Sequence, residues 1–264
     1  PKPEEDTPSS PSSFGVYPVD IYAYLVTLEN RFRDLLCFDV EGADSIDWLP
    51  EDTELSGPSR SAFSRVLKSC RNQQFHAGLV SFWHRGVNSS GHANAILFDV
   101  RNRKVYRFEP HGAKSNIIEL NEVSERFDAS FDGFVREHGW SYVRPREFCT
   151  VGPQSKQMDK RGMCGWWSFY FIYRIVKSAG SDTPDDLMRK FLKMSPDELE
   201  RTIADFREKT LKETSYLKRN FDAIRKIVTE KTGLHFFSPV LNRVIMQEMS
   251  KTKTGSSLCF AHLL

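Results

Sequence analysis

The sequence predicts an α+β fold with strands gathered mid-chain and helices on either side. Three observations carry this expectation. FHAGLVSFW (75–83), HANAILFDV (92–100) and KVYRFEP (104–110) are short runs rich in β-branched and aromatic residues. MCGWWSFYFIYRIV (163–176) is apolar on almost every side until Arg174, the pattern of a helix inside a core. From Thr183 onward the chain is charged and helical in pattern.

Taken in order, residues 1–13 are rich in Pro, Ser and acidic side chains and are expected to be a disordered tail. Residues 14–74 read as a helical N-terminal region expected to contact substrate. IYAYLVTLENRFRDLL has apolar residues at helical spacing, SGPS (56–59) is a turn, and a short amphipathic helix should run on to Cys70. Asn88 to Gly91 forms a turn, and Arg101-Asn102-Arg103 folds the second and third strands into a tight hairpin. A helix over 117–138 and a strand over 140–151 follow. Gly180 ends the buried helix, Thr183-Pro184-Asp185-Asp186 and Ser195-Pro196-Asp197-Glu198 open two more, and the last runs to about Thr232. The division is then a tail (1–13), an N-terminal region (14–74), a core (75–180) and a helical C-terminal region packed on it (181–264), ending in a linker-like KTKTGSS and an apolar SLCFAHLL.

Composition narrows the function classes. The formal net charge of +2 argues for neither a nucleic-acid nor a membrane partner. No apolar run reaches the ~18 residues of a membrane-spanning helix, and the N-terminus does not read as a signal peptide. The cysteines (Cys37, Cys70, Cys149, Cys164, Cys259) are odd in number and scattered, with no C-x-x-C pair. Free thiols in a reducing, intracellular compartment are expected, with neither a zinc site nor a disulfide framework.

Three residues can be assembled into a reactive group. His92 opens a strand after a Gly turn, and Glu109 ends the next strand of the same hairpin, so both lie at one edge of a sheet. Cys164 follows Gly162 and Met163 at the start of the buried helix, where the dipole and unpaired N–H groups favour a thiolate. Thiol, imidazole and carboxylate supply a nucleophile, a base and a group that orients the base. Singly, each has a plainer explanation: a packed His, a solvated strand end, an inert core Cys. His111 reads as a turn residue, Asp99 lies at the far end of the hairpin, Cys149 reads as buried and inert, and His76 and His84 lack metal-site spacing. Asp159 and Arg161 would order the loop before Cys164.

GHANAILFDVRNRKVYRFEPHG (91–112) followed by GPQSKQMDKRGMCGWWSFYF (152–171) resembles the adenovirus protease (adenain) and ubiquitin-like-specific protease superfamily. Similar His-Ala-Asn and Phe-Glu-Pro-His-Gly stretches occur in large DNA viruses. The resemblance spans roughly 75–180 and implies a papain-like, adenain-like fold: a central mixed sheet between helices. It implies a cysteine peptidase or isopeptidase needing no cofactor, acting on ubiquitin-like conjugates or on viral-type precursor proteins after small residues. It also implies a Gln before the nucleophile for the oxyanion. Gln154 and Gln157 both match, Gln154 slightly better. Ala93 stands where many relatives have a Trp that narrows a Gly-Gly tunnel, so Trp83, or the tandem Trp166 and Trp167, could narrow it instead, although large residues in an apolar helix such as these two Trp are expected to be core. The cleft is expected to be lined by Trp83, Ala93, Asn94, Gly162, Met163 and Gly165. Two alternatives remain open at the level of sequence: acetyl transfer through the same three residues, as in bacterial effectors activated by an inositol phosphate, and a binding module with a vestigial site.

Overall fold

The computed structural model describes residues 24, 27–29, 31–37, 45–49, 51–57, 60–61, 63–64, 72–83, 91–113, 118–157 and 162–232, with side chains to Ser215. The expected tail (1–13), the Asn88–Ser90 turn, His84, residues 65–70 of the helix expected to reach Cys70, loop residues Asp159 and Arg161, and the final KTKTGSS and SLCFAHLL segments lie outside them.

A mixed six-stranded sheet forms the centre. β1 (Leu36–Cys37) and β2 (Ser45–Trp48) both run parallel to β3 (Phe75–Phe82). β4 (His92–Asp99) and β5 (Lys104–Phe108) continue antiparallel, and β6 (Ser141–Val143) closes the far side parallel to β5. The β4–β5 hairpin is stabilised at its turn by Asp99, whose carboxylate accepts from the Asn102 backbone and side-chain amides. Arg103 there takes a positive φ of 50°.

Alternation along the strands sorts side chains onto two faces. Ala77, Leu79, Ala95, Leu97, Tyr106 and Phe108 point one way, onto helix α4 (Cys164–Lys177), where Phe108 stacks on Phe171 at 4.5 Å. Val80, Phe82, Ile96, Phe98 and Val105 point the other way, onto helix α1 (Ile118–Glu137). That helix forms because Leu120, Val123, Phe127, Phe131 and Phe134 recur at three- and four-residue steps, and it ends where Gly139 adopts φ +75°. Past α4, the Thr183–Asp186 capping box opens α5 (Pro184–Lys193), and the reciprocal Ser195–Glu198 bonds open α6 (Pro196–Thr232). Leu199, Ile203 and Phe206 of α6 join the α4 layer.

Three expectations need correcting. The N-terminal region is not simply helical, because it also supplies β1 and β2; strands of 2 and 4 residues are too short to show a period. The strand expected over 140–151 stops at Val143, and Pro145 starts a one-turn helix, α2 (Pro145–Phe148). Nor are all thiols free. Cys37 is disulfide-bonded, its partner outside the described residues, and distance along the chain gives no measure of such an approach in space.

Candidate active site

His92 is the first residue of β4 and Glu109 the first beyond β5, so the antiparallel pairing returns both to one edge of the sheet. His92 Nε2 lies 2.5 Å from Glu109 Oε1, and the same oxygen accepts from the His111 backbone N–H at 3.0 Å. Cys164 is the first residue of α4, partly exposed, and its Sγ accepts from the Ala93 N–H at 3.4 Å. Since Nε2 faces the carboxylate, Nδ1 is the nitrogen left for the Cys164 sulfur, to which the His92 ring is hydrogen-bonded. Ser168, one turn along α4, donates to the Ala93 carbonyl at 3.1 Å. The Ala93 peptide groups are thus held at both ends by the helix that carries the thiol.

Burial, charge and hydrogen bonding together set the protonation states. Burial alone would raise the Cys164 thiol, but the hydrogen bond and charge of His92, with the Ala93 N–H, bring it below its ordinary value. Burial discourages a charged His92, yet the Glu109 carboxylate foremost, with Cys164, raises it to about 10. Burial pushes Glu109 up, and His92, then Arg107 and His111, pull it down to about 2. His92 is therefore held as an imidazolium and Glu109 as a carboxylate at neutral pH, and both His92 and the Ala93 N–H favour the thiolate form of Cys164.

The loop before the nucleophile is fastened directly to the Glu109 turn. Gln154 N donates to the Pro110 carbonyl at 2.9 Å and Gly152 N to the His111 carbonyl at 3.0 Å. Gly112 and Gly152 meet there backbone to backbone: a Cβ on Gly152 would overlap the Pro110 carbonyl, and one on Gly112 would overlap the Gly152 nitrogen. Gln154 lies buried in the one-turn helix α3 (Pro153–Lys156). Gln157 is buried too, but its Oε1 accepts from the Trp167 indole N–H at 3.0 Å, which ties it to the core.

Of the residues expected to line the cleft, Trp83 packs against Gly91, where a Cβ would meet its ring at 3.4 Å, beside His92. Gly162 has a positive φ of 83° and precedes Met163 and Gly165, both buried. Asn94 does not face a cleft, a correction to the sequence reading. It is 0% exposed and accepts from Arg107 at 2.5 Å on the α1 face. Trp166 and Trp167 are core residues. Asp99 serves the hairpin turn, and burial raises the Cys149 thiol, whose Sγ donates to the Glu109 carbonyl at 3.3 Å. His111, expected to be a turn residue that could join the site, packs its ring 4.8 Å from that of His92.

Sequence reasoning passed over Ser168 and Arg107. Each sits in an apolar run, Ser168 between Trp166 and Phe171 and Arg107 between Val105 and Phe108, and a buried polar group needs a partner, so the signal was present. Among the described residues, no group of three or more His, Cys, Asp or Glu is placed to hold a metal, and no helix is long and apolar enough to cross a membrane.

No protein-family model matches the chain, and no curated protein sequence matches it. Solved structures with a similar chain path include ChlaDub1 from Chlamydia trachomatis, 11% identical, covering 79% of this chain and 96% of that one, with a TM-score of 0.41. The C. trachomatis effector Cdu1, solved bound to ubiquitin, is 11% identical over 76% of this chain and 94% of that one, at 0.43. The Legionella pneumophila effector RavZ is 9% identical over 92% and 82%, at 0.42. The chemistry is read from the residues of the site themselves.

Proposed function

We propose that this chain is a cysteine peptidase or isopeptidase that cleaves protein amide bonds through an acyl-enzyme. The observation that carries the reading is the convergence at one sheet edge of a thiol with a lowered pKa, an imidazole held charged beside it, and a buried carboxylate on that imidazole.

In this mechanism the Cys164 thiolate attacks the carbonyl carbon, and the His92 imidazolium gives its Nδ1 proton to the leaving amine as the C–N bond breaks. Neutral His92 then takes a proton from water, which attacks the thioester. Collapse of that intermediate releases the acid, and the thiolate–imidazolium pair is restored. Glu109 fixes the ring through Nε2. The oxyanion is assigned to the Gln154 side-chain amide and the Cys164 N–H at the start of α4. Gln154 is preferred to Gln157 because the latter already serves Trp167. Trp83, beside Gly91, is assigned to the cleft rim and Ala93 to its floor. Residues 75–180 form the catalytic core of this reading, with 14–74 and 181–264 as its flanks.

The pH window follows from the directions of the shifts. Activity is lost on the acid side as the depressed Cys164 thiol takes up a proton, and on the alkaline side as His92 loses its proton near 10. The resemblance of 91–112 and 152–171 to adenain and ubiquitin-like-specific proteases supports a protein substrate, either a ubiquitin-like conjugate or a precursor cut after small residues. Ubiquitin and related modifiers carrying C-terminal electrophiles test this directly. An adduct on Cys164, absent in Cys164→Ala, is the expected result. An adduct that persists in Cys164→Ala sinks the assignment, and no adduct alongside cleavage of other proteins moves the substrate to the precursor class.

A further inference from the structure

Two residues before Glu109 on β5, and on the same face, Arg107 is 2% exposed. Its guanidinium forks onto Asp128 of α1, with Nε to Oδ1 and Nη2 to Oδ2 both at 2.8 Å. Nη2 also donates to Ser124 at 2.6 Å, Nε to the Tyr142 hydroxyl at 3.2 Å, and Nη1 to Asn94 at 2.5 Å. The Tyr142 hydroxyl closes the ring onto Asp128 Oδ1 at 2.5 Å. The remaining direction of Nη1 points at the site: Glu109 Oε2 lies 3.7 Å away, while Oε1 is engaged by His92 and the His111 N–H.

This network is a poor device for stability. A buried ion pair is often matched or exceeded by well-packed apolar residues, and here it lies in a layer otherwise built from Phe82, Phe98, Phe127 and Phe131. The Asn94 side-chain nitrogen finds no hydrogen-bond partner in its buried place, a further cost. What the arrangement does accomplish is to fix one guanidinium, from three secondary-structure elements, against the free oxygen of the carboxylate that orients the base.

We propose that Arg107 is a positioning residue of the reaction, holding Glu109 from the side opposite His92 so that the carboxylate cannot turn away from the imidazolium. The proposal rests on the peptidase reading and adds to it a second tier, Asp128, Asn94, Ser124 and Tyr142, that aims Arg107. The titratable and charged groups facing Glu109 are His92, Arg107, His111, Cys149 and Cys164. Those facing Arg107 are Asp128, Tyr142 and Glu109.

The test is the pH dependence of Cys164 alkylation by iodoacetate on the full chain, read beside a thermal melt. Iodoacetate is an anion, so its rate needs both the thiolate and the neighbouring imidazolium and gives a bell. Arg107→Met frees Glu109, so His92 loses its partner and the alkaline limb moves down by about 1 pH unit or more. Mere removal of a positive charge would move both limbs up, and a purely structural role would lower stability with both limbs in place. Either outcome in a folded variant overturns the proposal. Should the Met variant not fold, Arg107→Lys decides. It keeps the charge but not the fork, and a smaller downward shift of the same limb is expected, an unmoved limb overturning the proposal. A wild-type chain that shows no bell contradicts the peptidase reading itself. A wild-type bell with unmoved variant limbs contradicts only the role of Arg107.

Discussion

The two faces of the sheet are built differently and contribute differently. The α1 face is an aromatic layer, Phe63, Phe98, Phe127, Phe131 and Phe134 in mutual contact, interrupted by one polar island around Arg107. The α4 face is a larger mixed layer that also receives α5 and α6. His92 and Glu109 stand on the α1-side rows of β4 and β5, whereas Cys164 comes from the helix on the opposite face. They meet only because each lies at the end of its element, past which the sheet no longer separates them. Base and carboxylate are thus tuned from one layer and the nucleophile is delivered from the other.

The largest effect that would break this division is at the delivered group. Cys164→Ala is expected to lower turnover by at least about 10⁴-fold while the melting temperature stays within a few degrees; turnover near the wild-type rate would end the assignment. The hairpin and the Gly-Met-Cys start of the buried helix made this much readable in advance. A hairpin with a four-residue turn returns residues 92 and 109 to one edge whatever surrounds it. The contribution of the far face was not readable, because contacts such as Arg107 to Asp128 depend on how α1 docks across the strands. The parallel strands β1 and β2 escaped notice because 2 and 4 residues show no period.

Next in size, Phe134→Ala in the aromatic layer should cost about 3–5 kcal/mol of stability, measured by denaturant unfolding. The pH profile of Cys164 alkylation should stay in place, since the Phe134 ring packs on Phe63, Phe131 and His138 and on none of the groups that hold Arg107 or Glu109. A shifted profile would mean that the layer tunes the chemistry as a whole and not through Arg107 alone.

Gly152→Ala is expected to cost about 10²-fold in kcat by displacing the Gln154 loop, because its Cβ overlaps the Pro110 carbonyl. An alanine enzyme with normal kcat would show that this crossing does not set the site. The smallest effect per unit of pH is at His76, fully buried on the α1 face, where burial foremost lowers its pKa from 6.5 to about 3, against a hydrogen bond with the Cys37 backbone. A lowered histidine favours the fold above its unfolded value and loses that contribution as pH falls. Stability should therefore decline by at most about 1.4 kcal/mol per pH unit from 6.5 towards 3. Unfolding of His76→Phe across that range should show a shallower decline, and an equal slope would assign the acid sensitivity elsewhere.

The place where Gly112 and Gly152 touch leaves no side chain between the turn bearing the carboxylate and the loop bearing Gln154. Neither segment can slide past the other, so a small molecule that wedges one aside must drag the other with it. An inhibitor built to displace the Gln154 loop would then also disturb His92 through Glu109, and a single compound would impair both oxyanion binding and proton transfer.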